Sequence, residues 1–410
     1  MNKYKLDAEK LKHSPRAVKF WECCLAVFYE NLSSFENGNL GDSNQETLVN
    51  INGLIENESK STFYLDQAFE YYLLANTHHR SSYEVEDEEE YKGRIFQRNI
   101  KPSRGRNKAS FTLKQEITVN NSERIDKPRI AIANIKVLET NIERGLRNDP
   151  NLERKRFDTL YKIFKQTKEE KADILLFPEC FVPIELLDRI TWYAVNEQKL
   201  IVTGLEHITI DNVSFNFIVT ILPFEKDGIK DAVVVYRLKN HYTHGEKLMI
   251  HTNHFQVPRP SQYLYDLFIW KGIYFSPYYC FELADVKHRS IFKSKVDLLI
   301  ASEWNRDTNY FSNIVESISR DIHAYFAQVN TSQFGDSRIT QPSRTEIKDI
   351  LKLKGGENST ILVGEIDIYS LREFQRKLYI TTKDDKRFKP LPPDFLLENV
   401  LRRINNQSVL

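Results

Sequence analysis

Three residues of reactive type stand at the ends of apolar, strand-like runs far apart in the chain: Glu179 in LLFPE, Lys239 in VVVYRLKNHY and Cys280 in IYFSPYYCFEL. Their chemistries are complementary. A free thiol, with a pKa near ~8.5, needs a proton acceptor or a cationic neighbour to act as a nucleophile at neutral pH. Glu179 is the candidate base, able to take the thiol proton and later return it to a departing amine. Lys239 offers positive charge where an attacked carbonyl oxygen becomes an oxyanion, and the backbone N–H of Phe281 is a second donor for that oxygen. Glu246 follows Lys239 by seven residues. It is read as the group that orients the lysine or positions a hydrolytic water.

Each of these residues has a plainer reading when taken singly. Free cysteine is among the most buried residue types, a strand-end lysine is usually solvated, and a glutamate before a helix can cap it. The joint pattern carries the catalytic reading. His241, His244, His251 and His254 form two H-x-x-H spacings. Helix-borne zinc pairs are usually four apart or part of a Cys/His set, so neither a metal nor another cofactor is expected. His241 is instead placed beside Lys239 in the cleft, Trp304 in IASEW as a pocket wall or, equally, a core residue, and Cys180 as a packing residue at the rim.

For such side chains to meet, strand ends must converge. PRIAIANIKV, ADILLFPE (172–179) and LIVTG (200–204) read as strands, the last two as continuous apolar runs of the buried kind. Further strands are expected at 215–222, 232–237, 273–280, 297–301, 325–330 and 360–368. Helices are expected through LYKIFKQ, over IELLDRITWYAVNEQ, and across 310–324, where Phe311, Ile314, Val315, Ile318 and Ile322 share a face. This order suits an α/β chain with a mixed sheet layered by helices. Residues 1–80 read as helical, with Ser14-Pro15 as a start signal, Val18, Trp21, Leu25 and Phe28 at helical spacing, the turn-rich FENGNLGDSNQ, and a second helix over 62–75. Residues 81–127 read as a charged linker, with EVEDEEE followed by an acid-free basic stretch over 91–115. Residues 128–380 are assigned to the catalytic domain. The tail over 381–410, with KPLPPDF, is expected to run extended over the surface before a short last helix.

Composition narrows the field. The 410 residues carry 58 basic and 57 acidic side chains, a net charge of +1, so no whole-molecule field draws in nucleic acid or an anionic membrane. The 25 Phe and 20 Tyr point to an aromatic-rich core. Cys23, Cys24, Cys180 and Cys280 lack the spacing of a disulfide framework, which suggests a reducing compartment. The charged N-terminus has no apolar signal-like run, and no stretch reaches the ~20 apolar residues of a membrane span. A soluble cytoplasmic protein is expected.

The order Glu, Lys, Cys within FPE, YRLKNHY and YYCFEL resembles the nitrilase, or carbon–nitrogen hydrolase, superfamily over residues 128–370. Arg320-Asp321, Asn330, Gly335-Asp336-Ser337, Pro342 and GEIDI (364–368) follow in the order of that family's later marks. The resemblance implies a four-layer α-β-β-α sandwich, here with a helical N-terminal extension. It also implies a Glu–Lys–Cys triad often joined by a second Glu, no cofactor and a homodimer. The implied activity is cysteine-dependent hydrolysis of a non-peptide C–N bond in a small amide, ureido or carbamoyl substrate. Nitriles are disfavoured because Phe281 stands where relatives acting on them usually have Trp. Ala284, Asp285 and VKHRS replace the family's arginine and F-P-E run, and Ser343-Arg344 with the insertion TEIKDILKLKGGENS replaces its late glycine. These departures bear on substrate and oligomer geometry. The competing expectation is a catalytically silent or scaffold domain that binds a protein or nucleic-acid partner through residues 1–127, as nitrilase-like domains attached to other modules do, some of them in bacterial defence systems.

Overall fold

The structure is a computed structural model, and it describes residues 18–36, 64–77, 95–103, 111–121, 123–258, 262–377 and 387–410. The Ser14-Pro15 start, the turn-rich stretch beyond Glu36 and the acidic run over 84–90 lie outside the described residues. Among the described residues two aromatic helices come first, α1 (Phe20–Glu36) and α2 (Tyr64–Thr77), followed by strands β1 (Phe96–Ser103) and β2 (Phe111–Val119). Strands and helices then alternate through β3 (Arg129–Asn134), α3 (Glu139–Leu146), α4 (Arg154–Glu169), β4 (Ile174–Leu176), α5 (Leu187–Glu197) and β5 (Leu200–Gly204). Short connections follow, joining β6 (Ile208–Ile210), β7 (Val213–Phe215), β8 (Phe217–Lys226) and β9 (Ile229–Leu238). After α6 (His244–Thr252) come β10 (Gln262–Trp270), β11 (Ile273–Tyr279), β12 (Leu298–Glu303), α7 (Thr308–Ile318) and β13 (Tyr325–Asn330). The chain closes with β14 (Ser337–Thr340), β15 (Asp349–Leu353), β16 (Thr360–Glu365), α8 (Ile368–Arg376) and α9 (Leu397–Ile404).

Among the described residues these strands form an eight-stranded sheet, ordered β1-β2-β10-β11-β12-β13-β14-β15, and a six-stranded sheet, ordered β16-β3-β4-β5-β8-β9. Side-chain alternation shows how they stack. Leu298 and Ile300 of β12, with Tyr325, Ala327 and Val329 of β13, join the core shared with the six-stranded sheet. The intervening Leu299, Ala301 and Phe326 pack instead against Phe311, Ile314, Val315 and Ile318 of α7. On the far side, Leu160 and Ile163 of α4 and Leu187, Ile190 and Ala194 of α5 cover the six-stranded sheet. The layers therefore run helix, sheet, sheet, helix. Strands buried on both faces need no polar alternation, which is why ILL, LIV and AVVV are continuous apolar runs.

Three expectations change. The described parts of residues 81–127 are not simply a linker. β1 and β2 pair antiparallel, from Phe96 opposite Val119 to Ser103 opposite Thr112, and β2 runs parallel to β10, with Leu113 opposite Leu264 and Ile117 opposite Phe268. Leu113, Ile117 and Val119 are buried at period two. The basic count of the stretch masked that alternation. The helix expected over 310–324 ends at Ile318 and passes into a π turn over Ser319–His323. The tail does not lie wholly on the surface. Arg403 of α9 pairs with the buried Asp297, and the backbone N–H groups of Val409 and Leu410 donate to Glu116 Oε2 at 2.9 and 3.1 Å. No helix among the described residues is long and apolar enough to cross a membrane.

Candidate active site

β4 ends where Pro178, lacking an N–H, stops the ladder with β5. The peptide turns inward, and the Glu179 N–H donates to the Glu303 carbonyl at the end of β12, tying the two sheets together at this point (3.3 Å). Cys180 follows with φ +56°, a left-handed conformation uncommon outside glycine, at the residue beside the candidate base. Gly204 permits this approach. A Cβ there would lie 2.8 Å from Glu179 Cα and 3.1 Å from the Tyr279 ring.

Lys239 sits one residue past β9, where its N–H extends the β8–β9 ladder by donating to the Asn216 carbonyl at 2.8 Å. Its buried Nζ donates to Glu179 Oε1 at 2.6 Å and also to Glu246 Oε1. Glu246 is held by helix capping. Thr243 Oγ1 accepts the Glu246 N–H at 3.1 Å, and Glu246 Oε2 accepts the Thr243 N–H at 2.9 Å, a reciprocal box that leaves Oε1 for the lysine. Cys280 opens a short 3-10 turn (Cys280–Ala284) directly after β11. Its Sγ donates to Glu179 Oε2 at 3.8 Å, and the residue is 5% exposed. The Phe281 N–H lies in the first turn, where intrahelical acceptors are missing. The Phe281 ring itself is 39% exposed.

The structure thus brings Glu179, Lys239, Glu246 and Cys280 into one buried cluster. His241 is not part of this ion cluster. Its Nε2 meets His288 Nδ1 at 2.9 Å, and the ring packs on Tyr263 and His288. Trp304 packs half-buried against the inter-sheet core, 6.2 Å from the Phe334 ring, with Arg306 over its face. Cys180 is buried and 3.5 Å from Asn216 Nδ2. Among the described residues no group of three or more His, Cys, Asp or Glu is arranged to hold a metal ion.

Residues not foreseen from sequence support the cluster. Asn216 Nδ2 donates to Glu179 Oε1 at 3.0 Å, and Tyr279 Oη donates to Asn216 Oδ1 at 2.5 Å, which fixes the amide's orientation. Glu282 accepts from Arg237 at 2.7 and 2.8 Å, from the Asn240 N–H at 2.8 Å and from the Tyr279 N–H at 2.9 Å. This carboxylate clamps the Lys239 strand to the Cys280 turn. Arg237 and Glu282 lie inside the quoted motifs without a role readable from them. Tyr279 also lies inside the Cys280 motif, whereas Asn216 carries no local signal at all. The Thr243-x-x-Glu246 capping box has a sequence signature, Thr followed three residues later by Glu.

The electrostatics separate the two carboxylates around the lysine. Burial, only partly offset by Lys239 and reinforced by Glu246, raises Glu179 to about 7. Glu246 is equally buried, but the lysine and the Thr243 N–H outweigh that burial and hold it below the ordinary range. Lys239 stays an ammonium because its two carboxylates overcome its own burial. Burial first, then Glu179, pushes the Cys280 thiol well up, against the pull of Lys239, so the resting sulfur keeps its proton. One group near neutrality, one fixed anion and one fixed cation is an arrangement suited to moving a single proton.

No protein-family model and no curated protein matches the sequence. Solved structures do. An amidase from Nesterenkonia sp. is similar at 15% identity, over 60% of this chain and 92% of that one, with a TM-score of 0.43. A form of the Nesterenkonia sp. AN1 amidase, with the acetamide moiety of fluoroacetamide covalently added at its active-site cysteine, is similar at 14% identity over 60% and 92%, TM-score 0.41. A carbon–nitrogen hydrolase superfamily protein from Xanthomonas campestris, with an arsenic adduct in its active site, is similar at 13% identity over 65% and 99%, TM-score 0.42.

Proposed function

We propose that this protein is a cysteine-dependent hydrolase of the nitrilase type that cleaves a non-peptide C–N bond of an amide, ureido or carbamoyl compound. One observation carries the reading. A thiol, a carboxyl titrating near neutrality and an ammonium meet in one buried cluster, although they come from segments 101 and 60 residues apart. Structural packing alone does not call for a thiol hydrogen-bonded to a carboxylate that is itself bonded to a buried lysine.

The reaction follows from the roles. Glu179 takes the Cys280 proton as the sulfur attacks the substrate carbon, forming the C–S bond. Negative charge gathers on the former carbonyl oxygen, facing the Lys239 ammonium and the Phe281 N–H. As the C–N bond breaks, Glu179 gives the proton to the leaving amine. Water then enters and Glu179 takes its proton. The resulting hydroxide attacks the thioester, the C–S bond breaks, and the returning proton regenerates the thiol. Glu246 keeps Lys239 charged and in place throughout. The scaffold alternative draws on residues 1–127, yet α1, α2 and β2 contribute Phe20, Phe28, Leu65, Phe69 and Ile117 to the same core as the site.

The test is acyl-enzyme trapping. Incubation with small amides should release ammonia, and rapid acid quenching should show the acyl mass on the peptide containing Cys280. Cys280→Ser should abolish both signals, and Glu179→Gln should slow acylation by roughly 10²–10⁴-fold. Release of ammonia by Cys280→Ser at the native rate would overturn the proposal.

A further inference from the structure

One carboxylate beside the thiol takes no part in this proton chemistry. Glu303 ends β12 and stands level with Cys280, because Tyr279 of β11 lies opposite Ser302. It is fully buried, and neither carboxyl oxygen has a hydrogen-bond partner among the described residues. Buried polar groups are almost always satisfied, and a residue needed only for packing would be apolar there. Leu299 and Ala301, earlier at the same alternation along the strand, are apolar. Asp336, which also pairs with Lys352 at 3.2 Å, lies near enough to raise the Glu303 carboxyl further. The neighbouring cation, Arg338, binds Asp336 through Nη2, while its Nε and Nη1 have no partner among the described residues. Gln328 faces Arg338 in the β13–β14 register, and its Oε1 also lacks a partner among the described residues. Around the thiol, then, the carboxylates Glu179, Glu246 and Glu303 outnumber the Lys239 ammonium, and Glu303 is the member whose carboxyl oxygens have no partner among the described residues.

We propose that Glu303 selects the substrate by receiving a positively charged nitrogen, an ammonium or guanidinium, carried a few atoms from the carbon that Cys280 attacks. This rests on the hydrolase reading above and narrows it to cationic amides. Burial, Asp336 and Glu179 hold the free Glu303 carboxyl well above the ordinary range. An arriving cation reverses that balance, and the proton leaves to solvent as the ion pair forms.

The test needs no knowledge of the natural substrate. Methanethiosulfonates transfer their thioalkyl group to a thiol, forming a disulfide and releasing methanesulfinate. Rates of modification at Cys280 are read by peptide mass for the aminoethyl (cationic), methyl (neutral) and sulfonatoethyl (anionic) reagents, each normalised to its rate with a free thiol. The cationic reagent should exceed the neutral one by roughly tenfold or more at low salt, with the anionic reagent slowest. In Glu303→Gln the cationic-to-neutral ratio should fall to about one. A ratio near one in the native protein, or a ratio unchanged in the variant, overturns the inference while leaving the hydrolase reading in place. Failure of all three reagents to modify Cys280 instead removes the hydrolase reading, and this inference with it.

Discussion

Glu179 and Glu246 share one lysine and differ in what else they touch. Glu246 has a backbone N–H from its capping box, whereas Glu179 has only the Asn216 amide and the Cys280 thiol besides Lys239. In the proposed mechanism that difference gives Glu179 the mobile proton, and it sets the sign of the expected pH dependence. The base must be ionised to accept the thiol proton, so kcat/KM should fall by about tenfold per pH unit as pH drops below the Glu179 value. That limb is expected at about 7. A flat profile from pH 8 to 5 would contradict it. Asn216→Ala removes a donor that favours the charged carboxylate, so the same limb should move to higher pH. Loss of rate with an unmoved limb would leave Asn216 a packing residue only. For stability the sign is opposite to that for activity. A raised carboxyl pKa favours the fold at acid pH, and that contribution is lost as pH rises through about 7.

At the scale of elements, the site depends on how β9 and the turn after β11 are held together. Arg237 and Glu282 are both buried, and their bidentate pair also gathers the Asn240 and Tyr279 N–H groups. Glu282→Gln would take from the buried Arg237 guanidinium its bidentate partner, leaving Asp266 at 4.0 Å, at a cost of up to ~3–5 kcal/mol measurable by urea unfolding. The Glu282 carboxyl is held below the ordinary range because Arg237 and these N–H groups outweigh its burial. Its contribution is therefore present above the usual glutamate pKa and lost as pH falls through the depressed one. The variant should accordingly lose the part of the acid-induced weakening that Glu282 causes. The legibility of these elements follows their physics. β4, β5 and β9 could be read because burial on both faces leaves an unbroken apolar run with one polar residue at its end. β10 was missed. It joins β11 by a two-residue turn at Lys271-Gly272, both with positive φ, and lysine is a weak marker of that turn. Asn216 reaches Glu179 from 37 residues away, a pairing that no local pattern announces.

Across the whole molecule, the described residues before 128 belong to the fold that carries the site. β2 pairs with β10 along the length of that strand. α1 lies against β9, the strand that leads to Lys239, with Phe28 stacked on Tyr236 at 3.7 Å and the Phe20 and Trp21 N–H groups held by Asp231 at 2.7 and 3.0 Å. The Tyr64 hydroxyl of α2 donates to the Val234 carbonyl at 2.9 Å. A chain beginning at residue 128 would open the β10 edge, with its row of unpaired N–H and C=O groups, and bare the aromatic face of β9. It would also remove Glu116, which anchors the Val409 and Leu410 N–H groups. The expected outcome is that residues 128–410 associate into large species on size exclusion, unfold at a lower temperature than the full chain and lose the acylation of Cys280. A monodisperse fragment that melts with the full chain and acylates at the same rate would instead make α1, α2, β1 and β2 an attachment. Recruitment of a partner through residues 1–127 would then become the better account of them.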